Sequence, residues 1–211
     1  HGLSGYWIDS SRRSNLPGLY AAGDVAGGVP KKYASGAWAE AVIAVRAMID
    51  ELRPGDPPPL LEADVARERQ RVFAPLSQPG PVPARELEER LQKIMDEYAG
   101  GISVQYGYAE GTLRIAKLHV ERMLGELDAL GATTPYELMH CHEVIDRVEV
   151  ARTLIAHMTH RRGTRWHCYQ ERLDYPERDD EHFMIFVNSV REPDGSFRII
   201  ERPVERAAIN V

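Results

Sequence analysis

Cysteine is almost absent: Cys141 and Cys168 are the only two, and no CxxC pair occurs. Two thiols cannot hold an iron–sulfur cluster, which usually takes about four, so any such cluster must sit on a partner polypeptide. Two isolated cysteines in an acidic chain read as buried thiols rather than as a disulfide. No apolar run approaches the roughly 18 residues needed to cross a bilayer, and no charged start followed by an apolar segment marks a signal peptide. A soluble, cytoplasmic chain with no membrane span is the expectation. Excess positive charge is lacking as well: the net charge is −6 with 27% charged residues, so no overall field favours nucleic acid or an anionic membrane. Nowhere does a GxGxxG follow a strand-like run.

What is present can supply a core, with 43% hydrophobic residues in 211, enough for one large domain or two small ones. The chain begins with His1 rather than Met and runs straight into strand-like GYWID, so a longer parent chain is expected. Residues 1–9, with Tyr6, Trp7 and Ile8, read as a short strand in a hairpin that feeds a second strand at Leu19. The chain then turns on 16–40, LPGLYAAGDVAGGVPKKYASGAWAE. Leu19, Tyr20, Ala21 and Ala22 read as a buried strand, Gly23 and Asp24 as its end, and Gly27 and Gly28 as a tight turn that lets backbone approach a ligand. Ser35 and Gly36 stand where a helix over about 37–52 should begin, so its uncapped amides would face whatever the turn holds. A carboxylate such as Asp24 at a strand end can accept hydrogen bonds from sugar-like hydroxyls. Spacing alone leaves a plain strand, turn and helix equally open.

In that helix Ala41, Ile43, Ala44, Ala47 and Met48 predict burial on more than one side. RPGDPPPL ends it, and a second proline-rich stretch, SQPGPVP, follows the charged segment EADVARERQRVFA, read as a connector helix. Three longer helices follow. The first carries Leu87, Leu91, Ile94, Met95 and Tyr98 at helical spacing and stops at Gly100 and Gly101. The second spreads Leu113, Ala116, Leu118, Val120, Met123, Leu124 and Leu127 over a wide apolar face. The third opens with Thr134 as cap, Pro135 at the first helical position and Glu137 near the capping-box place. A three-helix bundle is the consequence. His140, Cys141, His142, His157 and His160 invite a metal, but residues 140 and 142 point about 200° apart on a helix and the 157/160 pair lies about four turns away. A single-metal site is therefore not expected. In the tail, FMIFVNSV and SFRIIERPV around PDG predict a β-hairpin. Between bundle and hairpin, LDYPERDDEHF reads from composition as a solvated acidic turn.

Two segments carry a resemblance. LPGLYAAGDVAGG followed by SGAWAE is similar to the second flavin-binding segment of the fumarate reductase and succinate dehydrogenase flavoprotein family, which includes the adenylylsulfate reductase alpha subunit. Arg162, Gly163, Arg172, Asp174, Tyr175, Pro176, Arg178, Asp179 and Asp180 resemble the C-terminal signature of that family, and TRWHCYQERLDYPERDD is most like the adenylylsulfate reductase type. The resemblance implies that Gly23, Asp24, Ser35 and Gly36 contact FAD, with Asp24 on the ribityl chain. It implies that His1 and Lys32 face a small anionic substrate. Counted back from Asp9, His1 falls one place short of the family histidine, and a solvated terminal histidine is an equal reading. Lys32 stands where fumarate reductases carry a carboxylate-clamping arginine. A lysine keeps the charge but not the two-pronged fork, which puts a dicarboxylate in doubt, and Lys31, Lys32, Tyr33 and Ser35 resemble the adenylylsulfate reductase pattern. Two solvated loop lysines remain the alternative.

The resulting expectation is an α+β chain: the remnant of an FAD-binding domain with short strands and a helix at 1–52, a proline-rich linker with a short helix at 53–83, a helical bundle at 84–162 and a C-terminal extension with a hairpin at 163–211. The function implied is part of an FAD-dependent oxidoreductase flavoprotein with a ferredoxin-like iron–sulfur partner. The FAD site is incomplete here, since the family's GxGxxG is missing, so the 211 residues alone should not turn over. A non-catalytic helical interaction or subunit-docking module is the competing reading.

Overall fold

The structure is a computed structural model describing residues 4–29, 33–51, 53, 55, 60–77, 80–165 and 170–204. It divides into two compact units, His1–Pro59 and Leu60–Val211.

In the first unit the chain pairs through single bridges. Tyr6 lies parallel to Ala26, with its N–H donating to Val25 O at 2.7 Å and its O accepting from Gly27 N at 2.9 Å. Arg13 lies antiparallel to Tyr20. Ala21, Ala26 and Val29 form a small core against Ile8. A 3-10 turn, Gly23–Val25, leads on to helix α1, Ala34–Glu51. Three expectations are corrected. Leu19–Ala22 is not a buried strand: Leu19 is 49% exposed and only Tyr20 bridges, because a single partner of one residue cannot build a ladder. Tyr6 joins Ala26 rather than a hairpin at Leu19. In α1 only Ala44 is buried, and Ala41, Ile43 and Met48 face outward, since the small core of this unit covers one side of the helix.

The second unit is built on helices. Helix α2, Glu62–Ser77, continues across Pro75, which removes one helical hydrogen bond two residues before the helix ends and whose O accepts from Ala132 N at 3.0 Å. Leu76 joins the core, and His142 meets Val72 O at 2.9 Å, so α2 is packed onto the bundle rather than a free connector. Strand β1, Val82–Pro83, leads into α3, Ala84–Tyr98; β2, Gly107–Tyr108, into α4, Glu110–Leu124; and β3, Leu130–Gly131, into α5, Pro135–His160. Cys141, Val144, Val148, Ala151, Ile155 and Met158 recur at alternating three- and four-residue steps, the spacing of a coiled-coil seam, and pack on Leu87 and Leu91 of α3 and Leu113, Ala116, Val120 and Met123 of α4. Leu118, expected on that face, lies outside it and is exposed. The Thr134 hydroxyl accepts from Glu137 N at 3.2 Å, while Glu137 Oε2 accepts from Thr133 N and Oγ1 at 2.6 and 2.7 Å.

Two parallel bridges tie the unit together: β1 with β3, and β2 with β4, Glu171–Arg172. A short helix, α6 at Asp180–Phe183, precedes the antiparallel hairpin of β5, Ile185–Arg191, and β6, Phe197–Pro203. Its turn carries Gly195 at φ 82° and an Asp194 carboxylate accepting from Ser196 N at 2.9 Å. Arg152, buried under the hairpin, reaches Gly195 O at 2.9 Å and lies 5.4 Å from the Phe197 ring.

Candidate functional site

The glycine turn is held at both ends by backbone approach. Gly23 has φ 71°, a region that disfavours side chains, and a Cβ there would come within 3.1 Å of Ala37 Cβ in α1. A Cβ on Gly27 would lie 2.8 Å from Gly5 O and Tyr6 O. The turn therefore lies against the first turn of α1, which contains Ser35 and Gly36. Ala37 N already donates to Tyr33 O at 2.8 Å, whereas the amides ahead of it in that turn find no acceptor within the helix. The Gly23–Asp24 turn and the Ser35–Gly36 start of α1 thus meet through Gly23 and Ala37, at the helix end that carries positive dipole charge. α1 begins at Ala34, earlier than its expected start, so Ser35 and Gly36 belong to the helix itself. His1 and Lys32 lie outside the described residues.

Behind the turn stands a clamp that the sequence reading missed. Arg12, at φ 69°, sends Nε and Nη2 to the two carboxylate oxygens of Glu40 in α1, the second contact at 3.0 Å. Its backbone O accepts from Ala21 N at 3.0 Å. Arg13 pairs instead with Glu51 at the far end of α1, where Tyr20 Oη also donates at 2.5 Å. The Arg12–Arg13 dipeptide facing two later glutamates was the available signal, but spacing does not say which arginine meets which.

In the second unit the acidic segment 173–183 is largely exposed, as its composition suggests, but the residue that precedes it is not. Arg172 is 1% exposed. Its Nη1 donates to Met158 O at 2.5 Å and Arg161 O at 2.8 Å, its Nε to Asp174 Oδ1 at 2.8 Å, and its guanidinium lies between the Tyr108 and Tyr175 rings at 5.7 and 5.2 Å. Asp174 Oδ2 accepts in turn from Glu110 N at 2.9 Å. One ion pair therefore puts positive charge on the carbonyl end of α5 and negative charge on the amide end of α4, the sign each helix dipole favours. Burial works to raise the Asp174 carboxyl, but the Arg172 and Glu110 hydrogen bonds overcome it and hold it below its ordinary value. Burial raises the Tyr108 phenol despite the nearby Arg172 charge. The site is saturated by its own carbonyls and holds the fold. The histidines are similarly spent on separate partners: His140 on Glu88, His157 on Ser189 Oγ at 2.9 Å and His160 on Glu201 at 2.7 Å.

The sequence pattern of the fumarate reductase flavoprotein C-terminal family matches residues 88–211, well over half of the chain. The chain belongs to that family. Among relatives of this chain, the adenylylsulfate reductase subunit alpha of Megalodesulfovibrio gigas is 24% identical over 87% of this chain and 30% of its own length. The fumarate reductase flavoprotein subunit of Mycobacterium tuberculosis is 27% identical over 96% of this chain and 37% of its own. The solved adenylylsulfate reductase of Archaeoglobus fulgidus superposes with a TM-score of 0.83 at 33% identity, over 92% of this chain and 33% of that one. The chain thus spans about a third of the length of the relatives it matches. Among its described residues no helix is long and apolar enough to cross a membrane.

Proposed function

We propose that this chain is the C-terminal part of an FAD-dependent oxidoreductase that acts on a small anionic substrate and exchanges electrons with a ferredoxin-like iron–sulfur subunit. The observation that carries the reading is the close approach of Gly23 to Ala37, which sets the Asp24 turn beside the first-turn amides of α1. The residues fit one wall of a dinucleotide-type site: glycine where a Cβ would close the cradle, a carboxylate for sugar-like hydroxyls, and amides for electron-rich groups. FAD, when bound, supplies the two-electron redox chemistry. In this reading Asp24 accepts hydrogen bonds from the ribityl chain, Ser35 and Gly36 face the flavin ring, and His1 and Lys32 orient the substrate and balance its charge. Lys32 and the Thr164–Trp166 segment favour adenylylsulfate over fumarate or succinate. We assign 1–52 to the flavin domain, 53–83 to the linker, 84–162 to the helical domain and 163–211 to an extension, in a cytoplasmic enzyme.

The test is absorbance and mass spectrometry of the purified full-length protein. Bound flavin, with a cysteine-rich partner that co-purifies, is the expected result. A colourless full-length protein without such a partner would support the interaction module instead.

A further inference from the structure

We infer that Arg12 is a positioning residue for the flavin site, fixing the distance between the Asp24 turn and the amide end of α1; this rests on the flavin reading above. The contacts close a ring. Gly23 abuts Ala37 of α1, with a Cβ margin of only 3.1 Å. Ala37 and Glu40 share a helix face one turn apart. The Glu40 carboxylate is gripped on both oxygens by Arg12 Nε and Nη2, and this pair is largely shielded from solvent, with side chains 18% and 12% exposed. The backbone O of Arg12 accepts from Ala21 N, two residues before Gly23. A displacement anywhere on this ring changes the separation between Asp24 and the Ser35 and Gly36 amides.

Arg12 occupies this place at a cost. At φ 69° it sits in the left-handed region, which disfavours a residue with a Cβ. Glycine would relieve that strain, yet only a long two-pronged cation can reach Glu40 from the turn. The turn is held by its own backbone: Arg12 N donates to Asp9 O and Asp9 N to Arg13 O, both at 3.0 Å. Arg13, next in sequence, provides a built-in comparison. It makes a similar ion pair with Glu51, about 16 Å further along α1, and that pair is well exposed. Both arginines bind the same hairpin to the same helix, but only the Arg12 pair lies on the ring through Gly23.

The test compares Arg12→Gln, Glu40→Gln and Arg13→Gln in the full-length protein, reading melting temperature, the visible circular dichroism of bound flavin and the rate of flavin release. Arg12→Gln and Glu40→Gln are expected to shift the flavin dichroism and release flavin roughly tenfold faster, the change that about 1.4 kcal/mol of lost binding produces. Arg13→Gln is expected to lower the melting temperature with the flavin signals unchanged. Equal flavin signals in Arg12→Gln and wild type overturn the inference and leave the flavin reading standing. A wild-type protein without flavin overturns both. If Arg12→Gln does not fold, Arg12→Lys, which keeps the charge without the fork, replaces it: a shifted flavin dichroism supports the inference and an unshifted one overturns it.

Discussion

Arg172 joins the carbonyl end of α5 to Asp174 through one buried guanidinium. Replacing it with methionine fills similar volume but strands the Met158 and Arg161 carbonyls and leaves the Asp174 carboxylate without its partner. Asp174 stays partly exposed, so the cost comes mainly from the stranded buried carbonyls, about 1–3 kcal/mol each, and urea unfolding of Arg172→Met should show a loss of that order; a loss under roughly 1 kcal/mol, as for an exposed pair, would contradict the assignment. His157 gives a pH signature. Burial, with the nearby His160 and Arg161 charges, holds its ring below the ordinary 6.5. Above pH 6.5 the ring is neutral in both states and its contribution is fully present; as pH falls the unfolded chain takes up the proton first, and stability is lost down to the folded value. Urea midpoints measured between pH 7.5 and 5.5 should therefore fall in wild type and fall less steeply in His157→Gln. The weight of Arg172 was hidden in the sequence because its partners are main-chain oxygens at the end of a helix, and those have no letter. An arginine two residues before an aspartate looks the same on a surface.

At the scale of elements, the helices were the legible part. The three- and four-residue steps from Cys141 to Met158 and the TPYE start of α5 specify a helix from local information, and the structure follows them. Thr134→Ala removes the one side-chain cap seen on α5 and should lower stability by about 1 kcal/mol, read as a lower melting temperature, with Thr134→Asn recovering most of it. The hairpin was legible for a similar reason, since PDG and the Gly195 conformation set the turn locally. The LYAA run was not, because an apolar tetrad becomes a strand only when neighbours offer a ladder, and this unit offers Arg13 alone. The wide apolar surface of α1 misled in the same way: periodicity reports which residues could be buried, while the partner decides which are.

At the scale of the molecule, the chain holds one wall of the proposed cofactor site, which leads to a prediction about binding. Flavin titrated into the isolated 211-residue chain should not reach sub-micromolar affinity, since one wall can satisfy only part of a dinucleotide; saturation at that level would show the site to be complete as it stands. The legible signal here was the order of two motifs, while the clamp behind the first came from tertiary contacts between residues 12 and 40. The parallel bridge of β2 with β4 has a consequence for synthesis. Gly107 and Tyr108 emerge from the ribosome long before Glu171 and Arg172, and helices α3 to α5 lie between or before them. The bundle can therefore assemble during translation with the carbonyl end of α5 and the amide end of α4 still open, and the later segment at 171–174 closes them. A polypeptide cut before residue 172 keeps helices α3 to α5 but leaves the carbonyl end of α5 and the amide end of α4 open to proteases.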